Sequence, residues 1–372
     1  MSHIKVLNPF QYGNPIQHLR SNLFKGRQAL AENIVHILLN HEQHAAFVNG
    51  PRRCGKTSFL YNLPRLLPSQ WIPIFVDAQS SAATTDESGF CQSLVRAIIR
   101  DGRSQGIQFP AIPDRSEFLA APYITLEDWL SRALDDLAAK DPEKRLLLTI
   151  DEFEKIGSAM DEGKLTVALF DELRSLIQHW DQLGFVFCGV QTLDELGPNW
   201  SSYFISVVPV EMLYLQPTEA RELLTDPDPE FSLTYAPGLI DEILQLTQCH
   251  PNLLQLIGAA LVTEANERHT TTATADMLQT AIPRAFTLGT ACFTNVWTEF
   301  TGDPRNSDEV KTGQTILKAL RVGIQPDANA DDLTKQALRR MERYHVLNVV
   351  DGQYTFDIPL IQRWVSERAI LE

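Results

Sequence analysis

The chain has 372 residues, 44% hydrophobic and 21% charged, which suits two or three domains and excludes a disordered polymer. No apolar run approaches the ~18 residues of a membrane span, and the opening MSHIKVLNPF lacks the basic and apolar regions of a secretory signal. A net charge of −15 disfavours non-specific binding to polyanions.

The first segment, NPFQYGNPIQHLRSNLFKGRQ, is rich in turn residues. A helix is expected from Gln28 to about His41, with Leu30, Ile34, Ile37 and Leu38 on one side. Ala45 to Gly50 reads as a buried strand ending in glycine. The helix after it, FLYNLPRLL, should run until its proline. WIPIFVD is a second strand, and Gly89 to Arg100 a helix. The proline-bearing run Gly106 to Pro122 reads as a loop. Thr125 to Lys140 reads as a helix with Thr125 as N-cap. RLLLTIDE is an apolar strand ending in two acids. A helix from about Lys164 to Trp180, the strand GFVFCGV and a last strand VVPVEMLYL follow. Strands apolar on both faces and alternating with helices imply a parallel sheet covered by helices.

From Pro217 the pattern changes to helices alone. Beyond Asp308 two helices precede LNVVDGQYTF, two apolar runs around Asp351-Gly352 that signal a hairpin. Helices followed by a hairpin suggest a winged helix-turn-helix. The division expected is 1–215 for an α/β core, 216–304 for an all-α lid and 305–372 for the winged unit. From Asp308 onward nine Lys/Arg meet ten Asp/Glu, a balance of −1, so the preceding part carries −14. A local DNA-facing surface therefore stays open. Lys335, Arg339 and Arg343 recur every fourth residue on the second of these helices, with Arg340 beside them. They are candidate contacts for duplex DNA or a protein partner. The aromatic series Phe293, Trp297, Phe300 has helical spacing and reads as core.

The chemistry concentrates in Gly50-Pro51-Arg52-Arg53-Cys54-Gly55-Lys56-Thr57, followed by Ser58, which fits GxxxxGK[ST]. It follows a strand and opens a helix, as a phosphate loop must. Its glycines let backbone N–H groups surround phosphates at a positive helix N-terminus. Lys56 supplies a charge to β- and γ-phosphates, and Thr57 a hydroxyl for Mg²⁺. Asp151, at the end of RLLLTID, is placed to hold Mg²⁺ through water. Glu152 is placed to orient or deprotonate an attacking water. Gln191, after FVFCGV, is the candidate γ-phosphate sensor, with Thr192 next. No Lys or Arg occurs between Ser175 and Ala220. A trans-acting arginine finger would lie there, so slow basal hydrolysis is expected, or an arginine from elsewhere, with Arg174 equally readable as a solvated helix residue. The five cysteines lie far apart and never form CxxC, which excludes a zinc ribbon and fits a reducing cytosol. Cys54 reads as a small loop residue.

Taken in order, an FxGR box (Phe24, Gly26, Arg27), PRRCGKTS, IDEFE, GVQTLDEL, CHPNLLQL and a winged helix resemble the bacterial STAND-type ATPases. These are relatives of AAA+ and origin-recognition ATPases. The resemblance implies an ASCE-type P-loop fold, ATP or ADP with Mg²⁺, and Phe24, Gly26 and Arg27 near the base or ribose. It also implies Pro251 at the lid contact, in a Cys249-His250-Pro251 that stands where relatives have GxP. Relatives place a winged-helix histidine on the β-phosphate, and TFDIPLIQRW has none. The function implied is a nucleotide-driven switch acting on a protein partner or effector, with self-assembly, in signalling or phage defence. A DNA-binding AAA+-like ATPase is the rival reading.

Overall fold

The computed structural model describes residues 5–17, 22–40, 44–190, 198–303, 306–327 and 329–371. Five parallel strands form the central sheet: β1 Ala45–Asn49, β2 Trp71–Asp77, β3 Arg145–Asp151, β4 Leu183–Gly189 and β5 Val208–Glu211. Their spatial order is β2-β3-β4-β1-β5. β4 thus lies between β1, which feeds the phosphate loop, and β3, which ends in Asp151. This is the strand order of the expected ASCE core.

Alternate residues of β1 to β4 enter opposite cores. Ala46, Val48, Leu147, Val186 and Cys188 join one apolar cluster, which continues into the helices after Pro217. Ala45, Phe47, Leu146, Leu148, Ile150, Phe185 and Phe187 join the other. Two-sided burial explains why these strands read as unbroken apolar runs.

Several local expectations are corrected. The run Gly106 to Pro122 contains a short helix, Arg115–Ala120, started by an Asp114/Glu117 capping box. The next helix begins at Pro122, not Thr125. Proline suits the first helical position because its missing N–H would be unpaired there anyway. Thr125 instead lies within the helix, its hydroxyl donating to the Glu117 carbonyl at 3.2 Å. The helix after the phosphate loop spans Lys56–Leu66 and passes through Pro64 by two residues. The helix expected over 164–180 is preceded by another, Glu154–Asp161, and itself starts at Ala168. The last core strand is only four residues long.

From Pro217 to Trp297 the elements are helices, with one correction: Thr234–Tyr235 and Thr272–Ala273 pair as two short parallel strands. Beyond Ser307 come helices Ser307–Leu320 and Asp332–Arg343, an antiparallel hairpin Leu347–Val350/Gln353–Phe356 and helix Pro359–Leu371. The hairpin turn is the expected one, with Asp351 and Gly352 both at positive φ (52° and 77°). The aromatic series is core: Phe293 stacks on Trp364 at 5.6 Å and Trp297 meets it edge-on at 6.1 Å. No described helix is long and apolar enough to cross a membrane.

Phe153 anchors the site to this frame. It is fully buried, with ring centroids 4.4 Å from Phe187, 5.0 Å from Trp200 and 5.4 Å from Phe204. Its N–H donates to the Cys188 carbonyl at 2.9 Å. Phe153→Ala is expected to cost about 3–5 kcal/mol, read as a lower denaturant midpoint at unchanged slope.

Candidate functional site: the phosphate loop and its cavity

The loop is shaped by its neighbours before any ligand is considered. Met212 N donates to the Asn49 carbonyl at 2.8 Å, which brings the chain after β5 against the loop. A Cβ at Gly50 would stand 2.1 Å from the Met212 carbonyl oxygen, so only glycine fits. Gly55 has φ 101° at the entry to the Lys56–Leu66 helix, a conformation other residues rarely hold.

Lys56 is buried. Its ammonium donates to the Gly50 and Pro51 carbonyls, each at 2.8 Å, and lies 4.0 Å from Cys54 Sγ. The charge is therefore held inside the loop. The Thr57 hydroxyl donates to Asp151 Oδ2 at 2.6 Å. Burial pushes the Asp151 carboxyl up, and the Thr57 hydrogen bond opposes that shift. A hydroxyl and a carboxylate side by side are hard oxygen donors, the set Mg²⁺ takes when it keeps most of its waters. Glu152 follows at φ 52° and lines the cavity beside Lys56 and Thr57. Glu154, two residues on, is half-buried. It accepts a long hydrogen bond from Val190 N at 3.4 Å, and burial pushes its carboxyl up.

The cavity holds about 440 Å³, within the ~300–1,000 Å³ of small-molecule sites. One wall is the loop from Pro51 to Ser58; another is the segment Gln11 to Ile16 with Phe24. That segment is fastened on both sides. Ile16 N donates to Ser58 Oγ at 3.0 Å, and Asn252 Nδ2 to the Tyr12 carbonyl at 2.7 Å. Pro251, the first residue of helix Pro251–Glu267, is among the cavity-lining residues.

The expected base-binding box divides. Phe24 lines the cavity with the Arg65 guanidinium 5.5 Å over its ring. Arg27 lines it too, but its guanidinium is committed to the loop. It donates to the Cys54 carbonyl at 3.0 Å and the Tyr214 carbonyl at 3.4 Å. Gly26, φ 68°, sets this entry and stands outside the cavity lining; Glu219 packs on it so closely that a Cβ would clash. Gln191 and Thr192 fall outside the described residues.

The structure adds residues that sequence reasoning missed. His250 Nε2 donates to the Arg52 carbonyl at 3.3 Å. The Tyr214 ring lies 4.9 Å from His250 and 6.3 Å from His345, and its hydroxyl donates to Asp357 Oδ2 at 3.2 Å. His345 lines the cavity from just before the hairpin. TFDIPLIQRW has no histidine, and His345 stands instead on the other side of the hairpin. The only sequence signal was its place next to a hairpin strand.

The four basic residues of helix Asp332–Arg343 differ in exposure. Lys335 and Arg339 are exposed. Arg340 turns inward, donating its Nε–H to the Glu299 carbonyl at 2.6 Å and lying 5.4 Å over Tyr344. Arg343 is partly buried.

Comparison with known proteins agrees with this geometry. Residues 39–196 match the family model of an AAA domain. The fold is similar to that of a Walker-type ATPase of Pyrococcus abyssi, at 13% identity over 96% of this chain and 99% of that one, TM-score 0.65. It is also similar to the ORC2 protein of Aeropyrum pernix in its ADPNP-ADP complexes, at 12% identity over 99% of both chains, TM-score 0.58. No curated protein gives a significant match. Residues 39–196 thus match an AAA domain, on a parallel-sheet P-loop fold shared with these ATPases.

Burial of His250 ties the stability of the fold to pH. Burial pulls its pKa from 6.5 down to about 4, so it is neutral in the fold. The unfolded chain takes up the proton first, so this stabilisation is complete above pH 6.5 and lost as pH falls toward 4. The loss is about 3 kcal/mol. Denaturation at pH 7.5 and 4.5 should show a steeper acid loss for the wild type than for His250→Gln; equal slopes would refute a neutral buried His250.

Proposed function

We propose that the chain is an ATP-binding, slowly hydrolysing switch of the STAND-like kind, which changes domain arrangement with nucleotide state to control a protein partner. The carrying observation is that one cavity is lined at once by Lys56, Thr57 and Glu152, by Pro251 at the start of a later helix, and by His345 and Val346 from the C-terminal elements. A ligand there would lie among residues of all three proposed parts of the chain. The three-part division at 215 and 304, with a lid and a winged helix-turn-helix, belongs to this reading.

In this mechanism the backbone N–H groups of the loop and the Lys56 ammonium hold the β- and γ-phosphates. Thr57 and Asp151 would hold Mg²⁺, which when bound offsets charge on the phosphate oxygens. Glu152 accepts a proton from water as the water oxygen attacks the γ-phosphorus. The bond to the bridging oxygen breaks, and its electron pair leaves with ADP. Phe24 and the segment Gln11 to Ile16 would face the base and ribose, and Gln191 would sense the γ-phosphate. Only ATP offers γ-phosphate contacts, so the two nucleotides favour different arrangements by their differential affinity. Self-assembly on activation fits the same reading, as does a role in signalling or phage defence.

The second reading is a DNA-handling ATPase. Exposed Lys335 and Arg339 on one helix support it. Inward-turned Arg340 and the acid Asp351 at the hairpin tip weigh against it. It requires duplex binding that falls steeply with salt and with Arg339→Glu.

Lys56→Ala is expected to weaken nucleotide binding by about 1.5–3 kcal/mol, the worth of a charge-assisted contact. Glu152→Gln should keep nucleotide affinity while slowing phosphate release by about 10²–10⁴-fold. Calorimetric titration and a phosphate-release assay check both. A Lys56→Ala protein that binds ATP like the wild type would overturn the reading.

A further inference from the structure

The two arginines of the phosphate loop have different surroundings. Arg53 is exposed, at φ 60°, and donates to the Tyr12 carbonyl at 3.3 Å. Arg52 is half-buried and forms an ion pair with Glu299. Its guanidinium also lies 5.9 Å from the centre of the Phe300 ring. Phe300 stacks on Tyr344 at 4.6 Å with only 10° between planes, and Arg340 lies over Tyr344. Arg340 also donates to the Glu299 carbonyl. A continuous series of contacts therefore runs from a phosphate-loop side chain to the C-terminal elements. Glu299 is held at its carboxylate by the loop and at its carbonyl by Arg340.

Two further observations bear on Arg52. Its Nε is buried with no hydrogen-bond partner among the described residues. Arg52, Phe300 and Tyr344 all line the same cavity as Lys56 and Thr57.

We propose that Arg52 is shared between Glu299 and a bound triphosphate, and that this competition is what loosens the C-terminal elements. The inference rests on the nucleotide reading above and adds the residue through which phosphate is felt. A guanidinium recognises carboxylate and phosphate oxygens with the same fork of donors. Glu299 offers one negative charge; a triphosphate in the loop offers several, with Arg52 already in the loop and one donor unused. Arg52 turning toward phosphate leaves Glu299 without its partner and Phe300 without the cation over its ring. The Phe300–Tyr344 stack is then held from one side only.

Coupling between two sites is reciprocal. If phosphate weakens the Arg52–Glu299 pair, the pair must weaken phosphate binding. Glu299→Gln is nearly isosteric and removes only the competing charge. It is expected to bind ATP at least about fivefold more tightly than the wild type, the lower end of measured coupling. Arg52→Gln removes the shared group and is expected to bind ATP more weakly. Both variants should speed amide hydrogen exchange over residues 340–356 of the full chain. In the wild type, Mg-ATP should produce the same acceleration.

The opposite signs of the two affinity changes are what a purely structural ion pair would not give. Wild-type ATP affinity in Glu299→Gln, with or without faster exchange, overturns the proposal. So does tighter binding in Arg52→Gln. In both cases the nucleotide reading survives, because wild-type binding and its loss in Lys56→Ala test that reading separately. A wild-type chain that binds no ATP overturns both.

Discussion

Parallel strands all end at the same edge, and that constraint organises the molecule. Whatever follows the C-terminal ends of β1, β3 and β4 is brought together there. β1 delivers Gly50, β3 delivers Asp151 and β4 delivers Gly189, with Asn49 level with Gly189 and Ile150 level with Phe187. Because β4 separates β1 from β3, the loop and the acids are not adjacent strand ends. They meet across β4, and the 2.6 Å contact of Thr57 with Asp151 closes that gap. The turn at Glu152 and the burial of Phe153 then aim the next acid at the cavity. A parallel sheet has no other place where so many chain segments end together.

How much of this was legible in the amino-acid sequence follows from where each signal lives. The phosphate loop was readable because its chemistry is local: glycines, lysine and hydroxyl are contiguous and act through backbone geometry. Asp151 and Glu152 were readable because they end an apolar strand. The hairpin at Asp351-Gly352 was readable because a tight turn needs positive φ at both positions. The short helix Arg115–Ala120 was hidden by prolines that look like loop punctuation but in one case open a helix.

Arg27 and Arg340 show a different limit. Both were noticed as cations, and their number in the chain was no guide to their direction. Arg27 faces two carbonyls and Arg340 a carbonyl and a ring, so each spends its donors within the protein. Side-chain direction depends on packing between segments far apart in sequence, which no periodicity reports. The same holds for Tyr214, His250, His345 and Asp357, which come from four separate stretches and whose meeting no single motif reports.

The joints of the C-terminal elements differ in kind, and that difference favours a hinge. One joint is apolar, with Phe293 and Trp297 packed on Trp364. Separating those rings exposes large apolar surface to water. The joint at the cavity is mostly polar, with Arg52 on Glu299, Arg340 on the Glu299 carbonyl and Tyr214 on Asp357 beside a single ring stack, Phe300 on Tyr344. Polar groups lose little when water or a phosphate replaces their partner, because each exchange makes as many hydrogen bonds as it breaks. Under the proposed switch, motion about the apolar seam with opening at the polar side is the displacement that costs least. The polar side faces the phosphate loop, so the contact that is easiest to exchange is also the one nearest the charge that would exchange it.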